Sequence, residues 1–164
     1  MDTTFADYTI KEYISEKEER GEIIAYILSK ASTITNGSGL VSAPSLKFLE
    51  EIVDLLYKSL ILNPRLISLA RWDKRPYHRM IFNNGFKIYF RPSCHNGEAY
   101  RGIHVKTFAI KSEAAKDKNE KQWVEFWRIA DPGCDVKIYS MLDGDHSCEF
   151  YKRLRWAQRT QRKG

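Results

Sequence analysis

The sequence contains no run of eighteen apolar residues, which excludes an ordinary membrane-spanning helix. Its first residues include two acids, Asp2 and Asp7, and no apolar core, so we expect no secretory signal. Cysteine is scarce, and the odd number of three gives no disulfide framework and favours a reducing compartment. We therefore predict a cytoplasmic protein with no membrane partner.

An internal repeat and a second domain are also missing from the sequence. A length of 164 residues is usual for one compact domain, and a hydrophobic content of 43% is enough for a continuous core. We predict a single domain over residues 1–164. It would have a helical part at 1–72, a strand part at 77–142 and a basic C-terminal helix or arm at 145–164.

Charge is segregated along the chain. Residues 1–63 contain 6 cations and 10 anions, whereas residues 64–111 contain 10 cations and 2 anions. Residues 112–151 contain 5 cations and 9 anions, and residues 152–164 contain 6 cations and no anion. Clustered lysine and arginine side chains displace counterions from phosphates, so the two basic blocks predict a polyanionic partner.

Helical spacing is clearest at residues 45–62, where Leu46, Leu49, Val53, Leu56 and Leu60 alternate steps of three and four. An earlier helix is predicted to begin at Thr9, because Thr9 and Glu12 have the spacing of a capping box. Asn63-Pro64 predicts a third, short helix that continues to about Trp72. The glycines of residues 32–44 lack the lysine and the spacing of a phosphate-binding loop, so this segment is predicted to be a connector.

From residue 77 the hydrophobic period changes to two. Asn84-Gly85 favours a two-residue hairpin turn, which would place Ile81 opposite Ile88 and His78 opposite Arg91. Further strands are predicted at about 100–110, 121–129 and 135–142. We therefore expect an α+β fold, with N-terminal helices packed on a mainly antiparallel sheet of about five strands and a basic C-terminal helix.

The basic block at 64–111 also contains eight aromatic residues. Cations along a backbone track and aromatic faces for stacked bases are typical of single-strand binding. We therefore predict a small cytoplasmic nucleic-acid-binding protein that contacts RNA or single-stranded DNA and needs no cofactor. The predicted contacts are Arg75, Lys87, Tyr89, Arg91, Arg101 and Lys106, with Lys152, Arg153, Arg155, Arg159, Arg162 and Lys163 in the C-terminal arm.

An alternative function is cleavage of RNA without a metal ion, and the sequence does not decide whether the protein is an enzyme. If the hairpin and the strand at 100–110 adjoin, they bring together two imidazoles, a phenol and two cations. The candidate catalytic residues are His78, His104, Lys106, Tyr89 and Arg91.

Two further hypotheses concern a metal site and a surface that docks onto another protein. Asp143-Gly144-Asp145-His146 clusters three ligand types, but the cysteines stand 40 and 14 residues apart, which is no zinc pairing, so no metal site is predicted. The wide apolar stripe of the helix at 45–62 leaves open a second alternative. The protein would then be a protein-binding module or inhibitor that docks through this helix.

Overall fold

The computed structural model describes residues 8–13, 15–62, 67–93, 98–100, 102–111 and 128–141. Its elements are β1 (Tyr8–Tyr13), α1 (Glu16–Thr33), β2 (Ser38–Ala43), α2 (Leu46–Leu62), β3 (Leu69–Asp73), β4 (Arg79–Phe82), β5 (Lys87–Pro92), a 3-10 turn (Glu98–Tyr100), β6 (Val105–Lys111) and β7 (Ala130–Met141). The predicted C-terminal helix and most of the strand predicted at 121–129 lie outside these residues.

The strands form one seven-stranded sheet in the order β1-β7-β6-β2-β5-β4-β3. Neighbours from β1 to β5 pair in parallel, and only β5–β4 and β4–β3 are antiparallel. The prediction of a mainly antiparallel sheet of about five strands is therefore wrong. The prediction of a connector at residues 32–44 is also wrong, because they contain β2, and parallel strands buried on both faces do not alternate in polarity and give no signal of period two.

The start of the chain was also misinterpreted. Residues 8–13 form β1, and α1 begins after Ser15, whose Oγ accepts a hydrogen bond from the backbone N–H of Glu18 at 3.2 Å. Thr9–Glu12 and Ser15–Glu18 have the same capping-box spacing, and the helix uses the second of them. The third predicted helix is wrong as well, because its end is β3.

The helix predicted at 45–62 is confirmed as α2. Its buried residues are Leu49, Ile52, Val53, Leu56 and Leu60. They join the main core together with side chains of α1 and the inward side chains of β2, β4 and β5. Both helices therefore lie on one face of the sheet, which we call the helix face.

The hairpin of β4 and β5 is present, but its register differs by one residue from the prediction. Gly85 donates its N–H to Phe82 O at 2.9 Å and has a φ of +84°, so the loop has three residues and ends in a left-handed glycine. As a result Met80 pairs with Ile88, and Arg79 pairs with Tyr89. A slip of one residue moves side chains to the opposite face, which decides where the candidate site residues lie.

Candidate functional site

The carboxyl end of β2 lies at a topological switch point, where the connection after β2 and the connection after β6 leave towards opposite edges of the sheet. After β2 the chain passes through α2, β3 and β4 to reach β5, which lies on one side of β2, whereas β6 lies on the other side. In open parallel sheets the ligand crevice lies outside the carboxyl ends of the strands at such a switch point. This edge is therefore the first place to look for a site.

Only Pro44 and Ser45 connect β2 to α2. Ser45 Oγ accepts a hydrogen bond from the backbone N–H of Phe48 at 3.3 Å, so it caps the first turn of the helix. On the neighbouring strand, the backbone N–H of Ser93 donates to Ala43 O at 3.0 Å. One N–H of the first turn of α2 and the carbonyl of Ala43 are thus used within the protein.

Tyr100 closes the space beside the junction. Its side chain is fully buried, and its hydroxyl lies 2.7 Å from Ser42 Oγ in a hydrogen bond. Its ring meets Phe108 of β6 edge to face, with 6.3 Å between the centroids. Tyr100 therefore covers Ser42 and Phe108 on the sheet face next to the junction.

A second candidate is the sheet face opposite the helices, at the end formed by β3, β4 and β5. Cross-strand pairing places four cations on this face, which we call the cationic strand face: Arg71, Arg79, Lys87 and Arg91. Asp73 accepts from Arg71 Nε at 2.7 Å and from Arg79 Nε at 3.0 Å. Within the described residues, Lys87 and Arg91 form no ion pair.

Arg91 is the most enclosed of these cations. Its guanidinium carbon lies 5.3 Å from the ring centroids of both Tyr77 and Tyr89, and Nη1 donates to Ala99 O at 2.9 Å. Its Nε is buried and has no hydrogen-bond partner among the residues that the structure describes. Burial lowers the pKa of Arg91 from the ordinary value, and the nearby charge of Arg79 also lowers it.

The structure separates the predicted catalytic residues. Tyr89 and Arg91 lie on the cationic strand face, but His78 lines a cavity on the helix face, because of the changed register. His104 and Lys106 are exposed at the start of β6, which is separated from β5 by β2, a distance of about 10 Å at the usual strand spacing. Alternation places Lys106 on the same side as Lys87.

The structure describes only some of the remaining residues that were predicted to contact nucleic acid. Arg75 is exposed between β3 and β4, whereas Arg101 and the six cations at 152–163 lie outside the described residues. The Asp143–His146 cluster lies outside them too. Over the described ranges, no three His, Cys, Asp or Glu side chains are close enough to hold one metal ion, and no helix is long and apolar enough to span a membrane.

Sequence reasoning missed a buried ion pair. Lys111 Nζ at the end of β6 lies 2.5 Å from Glu19 Oε1 in α1, and the Glu19 side chain has no exposed surface. The two residues are 92 positions apart in the chain, and no local pattern in the sequence joins them. Ser42 and Tyr100 were missed for a similar reason, since a serine in a buried strand and an aromatic residue after a loop give no pattern that joins them.

Comparisons with known proteins identify the class of fold. The large terminase of bacteriophage HK97 is similar at a TM-score of 0.62 and 14% identity, over 83% of this chain and 29% of that chain. The large terminase of a thermophilic bacteriophage, solved in complex with ADP, is similar at a TM-score of 0.57 and 13% identity, over 84% of this chain and 33% of that chain. No protein-family model and no curated protein matches.

The chain shares the fold of a part of phage large terminases and spans about a third of the length of those proteins. This finding overturns the predicted function of a small RNA- or single-strand-binding protein. It also overturns the alternative of a metal-independent ribonuclease. The nucleic-acid and protein partners themselves stay predictions.

The described residues do not fit the phosphates of a nucleotide at the switch point. A phosphate-binding loop needs several glycine-rich residues between strand and helix, a lysine and a free helix N-terminus. The β2–α2 connection has two residues, neither of them glycine, and Ser45 caps the helix. The pattern G-x-x-x-x-G-K-[ST] does not occur anywhere in the sequence.

Proposed function

We propose that this chain is a non-hydrolysing domain with the terminase ATPase-type fold, which acts by binding a partner and does not turn over nucleotide. The observation that carries the proposal is the two-residue connection between β2 and α2 with its Ser45 cap. The buried Tyr100–Ser42 hydrogen bond supports it, because it uses the Ser42 hydroxyl close to the carboxyl end of β2 within the protein. The ADP of the thermophilic phage terminase belongs to that protein, and we transfer no nucleotide to this one.

Nucleotide titration tests this proposal. A ligand at 100 times its Kd stabilises a native protein by about 2.7 kcal/mol, which thermal unfolding detects easily. We expect ADP and ATP, each with magnesium, to leave the Tm unchanged and to release no phosphate. The large terminase of the thermophilic bacteriophage, which was solved in complex with ADP, is the positive control for ADP binding when treated identically. A saturable rise in Tm with either nucleotide would contradict the proposal.

For the cationic strand face, the proposed partner is a nucleic acid. Four cations face one acid there, and Lys87 and Arg91 have no carboxylate partner among the described residues. Binding to phosphates releases counterions, so affinity should fall steeply as salt rises. A reducing, cytoplasmic location remains part of this proposal.

Fluorescence anisotropy with labelled duplex DNA, single-stranded DNA and RNA measures binding to the proposed nucleic-acid partner. The double variant Lys87→Met/Arg91→Met is expected to bind about tenfold more weakly at low salt and to show a flatter salt dependence. Lys58→Met, on the exposed side of α2, is the matched control. Equal binding by both variants would exclude the cationic strand face as the contact surface.

A further inference from the structure

A cavity of about 110 Å³ opens on the helix face, between the first turns of α2 and the segment that joins β3 to β4. Its floor is apolar, since Leu49 and Phe90 line it and expose only 2% and 1% of their surface. Its rim is polar and includes Glu50, Lys74 and His78. Neither the Tyr100–Ser42 contact nor the cationic strand face shares these rim residues.

The imidazole of His78 is held in a defined state. Trp72 Nε1 donates a hydrogen bond to His78 Nδ1 at 3.1 Å, so Nδ1 is an acceptor and the ring proton is on Nε2. Trp72 itself packs between His78 and Tyr57, with ring centroids 5.8 and 5.0 Å away. The remaining donor of the ring, Nε2–H, is thereby preorganised.

Two side chains of opposite charge line the same cavity and do not form an ion pair with each other. Lys74 Nζ lies 4.6 Å from the centroid of the Trp72 ring and pairs with no carboxylate among the described residues. Glu50 is exposed and likewise forms no ion pair within that part of the chain. A ligand that has both an anionic and a cationic group would satisfy both side chains.

We infer that this cavity binds an apolar α-amino acid. The ligand's carboxylate lies at Lys74 and the Nε2–H of His78, its ammonium group lies at Glu50, and its side chain contacts Leu49 and Phe90. The size agrees, because a dry engineered cavity of about 150 Å³ holds benzene and a slightly smaller one takes a branched chain of about four carbons. This site is independent of the proposed function.

Three matched ligands test the inference: L-leucine, L-leucinamide, which lacks the carboxylate, and 4-methylpentanoate, which lacks the ammonium group. Binding is followed by Trp72 fluorescence, with Trp72→Phe to assign the signal, and by saturation-transfer NMR of the ligand. We expect saturable binding of leucine. Each of the other two should bind at least about fivefold more weakly, since each loses one charged contact.

Variants then assign each charge. Lys74→Met should weaken leucine about fivefold and leave leucinamide unchanged, whereas Glu50→Gln should weaken leucine and leave 4-methylpentanoate unchanged. Lys87→Met, a cation on the opposite face of the sheet, is the control and should change none of the three. Absence of leucine binding by NMR, or equal losses for all ligands in each variant, would overturn the inference.

Discussion

The two faces of strand β5 differ sharply in burial and charge. Ile88 and Phe90 point towards the helices and are almost completely buried. Lys87, Tyr89 and Arg91 alternate with them and lie half-buried on the opposite face. One six-residue strand therefore contributes both to the core and to the cationic strand face.

This difference indicates how stability and binding are divided. The helix face buries apolar side chains against α1 and α2, so substitutions there should unfold the protein. The cationic strand face leaves charges in contact with water, where ion pairs contribute little to stability. Substitutions on that face should then alter binding while the fold is kept.

Phe90→Ala tests the helix face and should have the largest effect. Phe90 exposes 1% of its surface, so its truncation leaves a cavity and should lower the free energy of unfolding by about 3–5 kcal/mol. Urea denaturation followed by far-ultraviolet circular dichroism measures the change. Lys87→Met, on the other face of the same strand, should cost about 1 kcal/mol or less. Similar losses in the two variants would remove the distinction between the faces.

Glu19→Gln tests a charge on the helix side. Glu19 is fully buried, and the substitution leaves Lys111, only 15% exposed, without its anionic partner at 2.5 Å. Breaking one side of such a pair should cost about 3 kcal/mol in the same urea assay. Asp54→Asn removes an exposed acid from α2, is the matched control, and should stay within about 0.5 kcal/mol. A loss as small as the control's would mean that the ion pair is not a stabilising part of the core.

Loss of the Tyr100 hydroxyl should lower the free energy of unfolding less than either of the two preceding core substitutions. Tyr100→Phe removes one buried hydrogen bond to Ser42 and should cost about 1 kcal/mol. Because the two hydroxyls are partners, Ser42→Ala/Tyr100→Phe should cost less than the sum of the single variants. Strictly additive losses in urea denaturation would show that the two hydroxyls do not interact.

Sequence reasoning predicted what local patterns determine. α2 was found because its apolar residues recur at helical spacing, and the hairpin because Asn84-Gly85 marks a turn. Its register was missed, since two-residue and three-residue loops both accept a glycine with positive φ. That slip moved His78 away from Tyr89 and Arg91.

The parallel part of the sheet was not predictable from local signals. β2 is buried on both faces, and it pairs with β5 and β6, which follow it by more than forty residues. Strand order at such separations depends on tertiary packing and leaves no periodicity in the sequence. The Ser42–Tyr100 and Glu19–Lys111 contacts depend on this strand order, so they were missed with it.

The smallest expected effect is the pH dependence of Asp73, the one acid on the cationic strand face. Hydrogen bonds from Arg79 and then Arg71 lower the pKa of Asp73 below its ordinary value. A carboxylate with a lowered pKa stabilises the folded state above its unfolded pKa of about 3.9, and that contribution is lost as the pH falls through the folded pKa. Asp73→Asn should therefore flatten the loss of stability between about pH 5 and pH 2, measured by urea midpoints.

The same substitution also affects binding, which separates it from an ordinary surface change. Asp73→Asn releases Arg71 and Arg79 from their shared acceptor and removes the one negative charge of that face. Nucleic-acid affinity at low salt should then rise by about threefold, and its salt dependence should steepen. Asp54→Asn, which removes an acid from the helix side, should change neither the loss of stability at low pH nor the affinity for nucleic acid. A parallel shift in both variants would mean that overall charge, and not the cationic strand face, governs the interaction.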